Sequence, residues 1–263
     1  MDLPTLTDRL DDRLETEDYA DVDASANGLQ VGPGELHRTA RESPPEIEHV
    51  AFAVDAAAAT IEAAADAGAD LLVTHHGLVW GGLDRLTGRE YANVAALIDH
   101  DLALYVSHLP LDGHPSLGNA AGLADHLSLR EQVAFGHLGP VTIGRRGRTP
   151  EAVDVAELEA SLADLDNDGH APQVLEFGPD EIRDVAIVTG SGADWLGEAA
   201  DADVDALVTG EGKQQVYHEA REAGVNVFLA GHYATETFGV ERLASLVSEW
   251  GIETTTLSHP TGL

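Results

Sequence analysis

A repeated pattern of strand, helix and strand constrains the fold of this chain most strongly. VAFAVDAAAATIEAAADAGADLLVTHH begins at Val50, and VAIVTGSGADWLGEAADADVDALVTGE begins at Val185. Each copy contains an apolar run, a polar turn, an alanine-rich stretch, an aspartate and a second apolar run that ends in threonine. Short apolar runs that alternate with helical stretches are typical of α/β folds. Alanine-rich units of an acidic protein resemble one another through composition alone, but the nearly equal spacing favours a duplication.

We therefore predict an α/β protein of two related, interlocked α/β/α domains from an internal duplication, with an inserted middle segment. The first half covers residues 1–130, and the second half covers residues 131–263 and includes the insert at 133–179. In open α/β sheets, binding sites form beyond the carboxyl ends of the strands. Polar residues that directly follow predicted strands are thus the first candidates for a functional site.

The chain is strongly acidic, with 47 aspartate and glutamate residues against 14 lysine and arginine residues and a net charge of −33. The acidic residues are spread along the chain and 43% of all residues are hydrophobic, which indicates a folded protein with an acidic surface. Such a surface repels itself in dilute buffer, whereas molar salt shortens the Debye length to about 3 Å. We predict adaptation to a very salty cytoplasm, and the same charge argues against nucleic-acid binding.

The 263 residues include no cysteine, so any metal ligands must be nitrogen or oxygen atoms. A run of about 18 apolar residues is also missing, which argues against a transmembrane helix. Residues 1–19 are acidic and polar, unlike a signal peptide. The predicted location is the cytoplasm.

Two adjacent histidines, His75 and His76, follow a strand predicted at residues 70–74. Adjacent side chains on a continuing strand point to opposite faces, so we expect both histidines in a turn that Gly77 relaxes. In such a turn both imidazoles can converge on a pair of ions. Ordinary turn histidines would explain the same dipeptide.

A second motif, SHLPLD, follows the strand predicted at residues 103–106 and contains His108 and Asp112. Pro110 turns the chain, which places Asp112 beyond the strand end. Aspartate oxygens suit divalent ions, although a helix-capping or turn role explains Asp112 taken alone. His108 is a candidate for orienting a ligand through a hydrogen bond.

A third motif, GHYATE, places His232 and Glu236 four residues apart at the start of a helix predicted to end at residue 250. Both side chains then lie on one helix face, where they share a metal ion or form a plain ion pair. The three motifs together supply three imidazoles and two carboxylates, a suitable set for two zinc, manganese, iron, cobalt or nickel ions. The predicted metal ligands are His75, His76, Asp112, His232 and Glu236.

Two glycine-rich segments are weaker candidates. TGEGKQQ contains Glu211, a candidate base, and Lys213, the only lysine of the chain. We predict a helix over residues 213–222 whose N-terminus binds a phosphate together with Lys213. The presence of Lys213 is explained equally well if this lysine was retained by chance. NGLQVG at residues 27–32 is predicted as a turn whose amides line the pocket or merely support it.

These motifs, in this order, resemble those of the NIF-three-like dinuclear metal-centre proteins, also catalogued as GTP cyclohydrolase one type two homologues. The similarity extends from NGLQVG through VTHHG and SHLPLD to TGEGKQQ and GHYATE, and so spans nearly the whole chain. Family members often carry an acidic residue before NGLQVG, where this chain has Ser25 and Ala26. The resemblance implies two related α/β domains, a hexameric ring, and a dimetal site with the ligands His75, His76, Asp112, His232 and Glu236.

The resemblance further implies a metal-dependent hydrolase similar to a GTP cyclohydrolase, in which two ions activate water and polarise the substrate. Glu211 and His108 are then the candidates for proton transfer, and Lys213 is the candidate for triphosphate binding. Two alternatives use the same ligands: a non-enzymatic metal carrier or scaffold, and a dimetal phosphoesterase. The predicted partners are further copies of the chain and a small-molecule substrate such as a nucleotide.

Overall fold

A computed structural model of the protein describes residues 1–34 and 44–263. This part of the chain forms two compact units. The first unit combines Met1–Leu111 with Gly239–His259, and the second combines Asp112–Phe238 with Pro260–Leu263. Each unit is therefore built from two separate stretches of sequence. The predicted division at residue 130 has a single boundary and stays a prediction, whereas the two-domain α/β fold is confirmed.

Helices and strands alternate along the described residues, as the apolar pattern predicts. The helices are α1 (Leu3–Leu14), α2 (Ala58–Asp66), α3 (Gly88–Asp99), α4 (Leu109–Gly113), α5 (Asn119–His126), α6 (Val155–Ala163), α7 (Leu196–Asp201), α8 (Val216–Ala223), α9 (His232–Thr235) and α10 (Thr237–Glu249). The strands are β1 (Gly28–Val31), β2 (His49–Asp55), β3 (Leu71–His76), β4 (Ala103–Val106), β5 (Arg130–Leu138), β6 (Val141–Val153), β7 (Gln173–Leu175), β8 (Ile182–Ile187), β9 (Ala206–Thr209), β10 (Asn226–Leu229) and β11 (Glu253–Thr256). Within this described part, none of the helices has the length and apolar character needed to cross a membrane.

Local side chains account for where some helices begin. The carboxylate of Asp2 accepts a hydrogen bond from the amide of Thr5 and so caps the first turn of α1. Helix α6 begins with a capping box, in which Asp154 and Glu157 each accept the backbone amide of the other. These contacts satisfy amides that have no carbonyl partner within the helix.

The sheet of the first unit has five strands in the order β1-β4-β3-β2-β11. Strands β4, β3, β2 and β11 are parallel neighbours, and β1 pairs antiparallel with β4 at one edge. Strand β4 is apolar and buried throughout, and β3 begins with three apolar residues and is buried up to His75, as expected for parallel strands covered on both faces. The core of this unit includes Ile61, Leu72, Leu97 and Leu104.

The sheet of the second unit has six strands in the order β5-β6-β8-β9-β10-β7. Its centre is parallel, since β9 pairs in parallel with both β8 and β10. Strands β5, β6 and β7 are antiparallel to their neighbours and come from the predicted insert and its flanks. The core of this unit includes Leu123, Leu158, Ile187 and Phe228.

The two repeat copies have the same strand register. In the first copy Val50 lies opposite Leu71, and in the second copy Val185 lies opposite Ala206. The separation along the chain is the same in both pairs. Equal separation across an intervening helix is what a duplicated unit of strand, helix and strand predicts.

The aspartate that precedes the second strand has the same role in both copies. One carboxylate oxygen of Asp70 accepts the amides of Glu48 and His49 at 2.8 and 3.0 Å. In the second copy Asp205 accepts two successive amides at the corresponding place in β8, at 2.8 and 2.9 Å. Each aspartate thus joins the amino ends of two parallel strands, which explains why both copies contain it.

Three expectations about local structure are wrong. Strand β3 continues through His76, so the paired histidines lie in the strand and not in a turn. The first part of NGLQVG is strand β1 because it finds a pairing edge on β4, which its local glycine content does not indicate. Helix α8 begins at Val216, so Lys213 precedes the helix instead of starting it.

Candidate metal-binding residues

The paired histidines end β3, a strand of the first unit that is buried up to His75. His75 is fully buried, and its Nδ1 lies 3.0 Å from the carbonyl oxygen of Ser107. Nδ1 of His76 lies 2.9 Å from a carboxylate oxygen of Asp55, the last residue of the neighbouring strand β2. The two ring centroids are 4.6 Å apart. The end of a parallel sheet therefore brings both imidazoles and their oxygen partners together.

His108 is a third imidazole beside this pair. Its ring centroid lies 5.0 Å from that of His75 and 5.7 Å from that of His76. Its Nδ1 lies 2.9 Å from Oδ1 of Asp23, whose side chain is only 1% exposed. One ring nitrogen from each of the three histidines lies within 4.8 Å of those from the other two. His108, predicted as an accessory residue, thus belongs to the same cluster as the two predicted ligands.

The three imidazoles share one feature that bears directly on metal binding. Each Nδ1 faces an oxygen that can only accept, namely a carbonyl or a carboxylate. The proton must therefore sit on Nδ1, which makes Nε2 the nitrogen that can donate electrons to a metal. Oxygen partners that orient histidine ligands in this way accompany most histidine metal sites. Imidazole nitrogens oriented in this way suit zinc, iron, cobalt or nickel.

The carboxylate of Asp23 is ionised although it is buried. Burial acts to raise the pKa of Asp23, but the hydrogen bond and charge of His108 and the amide of Asn27 outweigh it and hold the pKa below its ordinary value. The backbone amides of Ser25 and Leu109 also bond this carboxylate, at 2.9 and 3.0 Å. Asp23 therefore remains an acceptor for Nδ1 of His108.

The NGLQVG motif supports the histidine cluster from behind. Oδ1 of Asn27 accepts the backbone amide of His108 at 2.7 Å. Oε1 of Gln30 accepts the amides of Leu78 and Val79, and a Cβ added at Gly77 would lie 2.5 Å from the side-chain amide of Gln30. A side chain at position 77 would have to displace both the Gln30 amide and a methyl group of Val106, which favours glycine after His76. The motif holds the chain segments that carry the histidines.

In the second unit, the carboxylate of Asp112 is buried and held by two donors. Oδ1 of Asp112 accepts Nδ2 of Asn119 at 2.9 Å and Oγ1 of Thr189 at 3.0 Å. Asp112 lies in helix α4, and Asn119 begins α5. Because both donors bond the same oxygen, they fix the plane of the carboxylate. Such orientation is typical of carboxylates that bind metals.

His232 lies between two glutamates of the second unit. Its Nε2 is 3.2 Å from Oε1 of Glu236, and its Nδ1 is 3.2 Å from Oε1 of Glu211. Burial lowers the pKa of His232, but the hydrogen bonds and charges of Glu236 and then Glu211 outweigh it and raise the pKa to about 9. A hydrogen bond from Ser191 holds the pKa of Glu211 below its ordinary value, and the charge of His232 adds to that effect. The predicted contact between His232 and Glu236 is present.

The position of Glu236 depends on a glycine. Gly190 has φ +57°, and a Cβ at that position would overlap Oε1 of Glu236. The amide of Gly190 also donates to Oγ1 of Thr235 at 3.1 Å. A backbone with no side chain therefore allows Glu236, which is 3% exposed, to approach this closely.

Lys213 is paired with Asp194. Its ammonium bonds both carboxylate oxygens of Asp194, at 2.6 and 2.7 Å, and it precedes helix α8. Glu211 does lie at the site, since it contacts both His232 and Ser191. Of the two candidates in TGEGKQQ, the structure thus brings Glu211 next to a predicted ligand and pairs Lys213 elsewhere.

The sequence interpretation missed the residues that orient the predicted ligands. These are Asp23, Ser107, Asn119 and Thr189. Asp23 lies just before the NGLQVG motif. The family resemblance predicts an acidic residue in that region, at the positions of Ser25 and Ala26, and this expectation is a signal that could have led to Asp23. The other three are a backbone carbonyl and two small polar side chains, for which the sequence contains no comparable signal.

Fold and site define a class of protein: an α/β protein of two units with histidine and carboxylate groups that could hold metal ions. Comparisons with known proteins agree with this class. The family described as Duf34/NIF3 (NGG1p interacting factor 3) matches residues 1–261. The chain belongs to this family, which confirms the resemblance stated from its motifs.

Relatives of known sequence and structure are similar along the full chain. A Halobacterium salinarum protein named GTP cyclohydrolase 1 type 2 homolog is 57% identical over 264 residues, which cover 100% of both chains. An Archaeoglobus fulgidus protein of the same name is 40% identical over 100% of both chains. A crystal structure of a Thermus thermophilus protein has a TM-score of 0.87 and 36% identity over 100% of both chains. A solved protein called ybgI, described as of unknown function, has a TM-score of 0.88 and 30% identity over the same coverage.

Proposed function

We propose that this protein is a metal-dependent hydrolase that opens the purine ring of a nucleotide, with release of formate from GTP as the reaction to test. The observation that carries the proposal is the orientation of the paired imidazoles of His75 and His76, each with Nδ1 on an oxygen acceptor, beside a third imidazole, that of His108, held in the same way. That arrangement has the chemistry of a preformed metal site. The choice of GTP is supported by the name of the relatives, GTP cyclohydrolase 1 type 2 homolog.

The five residues predicted from the sequence remain the proposed ligands of two divalent ions: His75, His76, Asp112, His232 and Glu236. Divalent ions bound by such ligands supply an activated water and polarise the bond to be cleaved. His232 has to lose its proton before it can bind an ion, since its pKa is about 9. Metal analysis of the purified protein will identify the bound ions.

Proton transfer is proposed for His108 and Glu211. Asp23 holds the Nδ1 proton of His108, so Nε2 of His108 is the atom that accepts a proton from an attacking water. Glu211 is half exposed and ionised, because Ser191 keeps its pKa low. The lowered pKa makes this carboxylate a weak base, so its proposed role is to take up a proton transiently and to orient Nδ1 of His232.

The proposal is tested with protein purified in molar KCl and loaded with each candidate metal. Formate release from GTP is measured for the native chain, for His108→Gln and for the exposed control His100→Gln. We expect the first substitution to reduce turnover about 100-fold or more with metal content kept, and the control to have no effect. Absence of formate with every metal, while a known cyclohydrolase works in the same buffer, contradicts the proposal.

A metal carrier is the second candidate, and the pairing of Lys213 with Asp194 favours it. A cyclohydrolase needs a cation for the triphosphate, whereas a carrier needs only the ligands. If Lys213→Ala leaves the KM for GTP unchanged, the triphosphate role of Lys213 is wrong. If no nucleotide or phosphodiester is turned over and bound iron passes to an apo-acceptor protein, the carrier function is correct.

We also propose that the chain assembles as a homohexamer in a salt-rich cytoplasm. The motif resemblance supports the hexamer, and the net charge of −33 supports the salt-rich environment. Light scattering of the protein in molar KCl measures the assembly directly. A mass of one or two chains at micromolar concentration contradicts the hexamer.

A further inference from the structure

Trp80 is held in a defined position beside the histidine cluster. Its indole Nε1 donates to the carbonyl oxygen of Gly77 at 3.1 Å. Its backbone forms an isolated β-bridge with Ser25, and the amide of Gly81 bonds the carbonyl of Ala24 at 2.7 Å. These bonds on both sides fix the segment that follows the paired histidines. The indole is therefore an oriented group and not a loosely placed surface side chain.

The indole is nevertheless 44% exposed. The indole and the imidazole of His108 form a T-shaped contact with ring centroids 4.9 Å apart, and the indole centroid is 6.1 Å from that of His76. A Cβ built at Gly81 or Gly82 would meet no described atom within 4 Å, so the two residues after Trp80 leave open space around their backbone. A large, partly exposed aromatic ring thus lies directly beside the imidazoles.

Building on the proposed function, we propose that Trp80 is a stacking platform for a planar heteroaromatic ring of the substrate, and that it determines specificity for nucleobases. An anchored indole next to a reactive cluster offers the flat apolar surface that a purine requires. Stacking is tolerant of base identity, because every base has a π-face. Affinity for nucleosides should therefore depend on Trp80, whereas any binding of tripolyphosphate to the metal-loaded protein should not depend on it.

The test measures ligand binding separately from turnover. Metal-loaded native protein, Trp80→Ala and Trp80→Phe are compared by equilibrium dialysis in molar KCl with guanosine, adenosine and inorganic tripolyphosphate. Trp195→Phe is the matched control, since that indole donates to the carbonyl of His137 in the second unit. Thermal unfolding and light scattering of every variant show whether fold and assembly are kept.

We expect the affinity for both nucleosides to fall about tenfold or more in Trp80→Ala and to be largely kept in Trp80→Phe and in the control. Quenching of indole fluorescence by nucleosides should disappear in Trp80→Phe. Equal affinity of Trp80→Ala and the native chain, or no nucleoside binding by the native chain, overturns the inference. A change of assembly with unchanged affinity also overturns it, because Trp80 then belongs to an interface.

The outcomes for Trp80 and for the proposed hydrolase are distinguishable. A protein that binds nucleosides through Trp80 but releases no formate supports the stacking role and contradicts the hydrolysis. A protein that releases formate with the same KM in Trp80→Ala as in the native chain supports the hydrolysis and overturns the stacking role.

Discussion

The carboxylate of Asp23 accepts a hydrogen bond from Nδ1 of His108 at 2.9 Å, across 85 positions of sequence. This bond fixes which nitrogen of His108 carries the proton. In Asp23→Asn, an amide replaces an acceptor-only group, and its NH₂ can donate to Nδ1 and move the proton to Nε2. We expect metal affinity or turnover to fall about 10- to 100-fold.

Nitrogen NMR of the imidazoles distinguishes this tautomer effect from a loss of stability. The expected result is a His108 signal that changes from the Nδ1-protonated to the Nε2-protonated form. Asp99→Asn, which removes an exposed carboxylate at the end of α3, is the control. An unchanged His108 tautomer in Asp23→Asn would show that Asp23 supports the loop without orienting the imidazole.

Metal uptake should release protons from His232. The pKa of His232 is raised to about 9 by Glu236 and Glu211, so at pH 7 its imidazole is protonated and must lose a proton to bind an ion. Above pH 9 that proton is already gone. We expect the number of protons that His232 releases on metal binding to decrease from pH 7 to pH 10. Calorimetry in buffers of different ionisation enthalpy measures this number.

Glu211→Gln tests the source of the raised pKa. Without the Glu211 charge, the pKa of His232 should fall, and proton release should vanish at a lower pH than in the native chain. Proton release that is independent of pH, or identical in both proteins, contradicts the assignment.

Gly190→Ala should destabilise the second unit. The added methyl group would overlap Glu236, and φ of +57° is unfavourable for alanine. We expect a loss of about 1–3 kcal/mol in the free energy of unfolding, measured with urea in molar KCl. Gly197→Ala in helix α7 is the matched control, since its Cβ would meet nothing within 4 Å. The control should gain about 0.5–1 kcal/mol, and equal effects of both substitutions would contradict the role of Gly190.

The carboxylate of Glu198 should stabilise the folded protein at pH values above the ordinary pKa of a glutamate and lose this effect in acid. Its carboxylate accepts the amides of Gly136 and His137 and bonds Nδ1 of His137 at 2.7 Å. Burial raises its pKa, but the bonds and charge of His137 outweigh it and lower the pKa. Because the pKa of Glu198 is lower in the folded protein than in the unfolded chain, the ionised carboxylate stabilises the fold at neutral pH. This stabilisation is lost as the pH falls below about 4.5 toward the folded-state pKa.

We therefore expect Glu198→Gln to be less stable than the native chain at pH 7, by about 1 kcal/mol, with the difference shrinking below about pH 4.5. Urea unfolding at several pH values measures both quantities. Glu222→Gln, an exposed substitution in α8, should show no such dependence. A difference that grows toward acid pH would reverse the assigned sign.

Stability should increase with salt concentration. The net charge of −33 makes self-repulsion the main electrostatic term, and molar KCl screens it. We expect the melting temperature to rise steadily between about 0.1 and 3 M KCl, and the slope to decrease when several exposed aspartates are replaced by asparagine. A melting temperature independent of KCl would contradict adaptation to a salty cytoplasm.

Much of the fold could be predicted, and candidate ligands could be named, because the relevant signals are local. Apolar runs, alanine-rich stretches and the aspartates at 70 and 205 recur at the same spacing, so the α/β alternation follows from the sequence. The residue types in THHG, SHLPLD and GHYATE limit the chemistry to nitrogen and oxygen donors. These conclusions need no knowledge of contacts between distant residues.

The sequence by itself determined the architecture, the acidic surface and the candidate ligands. Only the tertiary structure decided that β3 continues through His76, that Asp23 orients His108, and that Lys213 pairs with Asp194. The physical reason is that strand pairing and side-chain hydrogen bonds join residues far apart in sequence. Their partners depend on how the sheet aligns β1, β4 and β3, and local residue preferences do not encode that alignment.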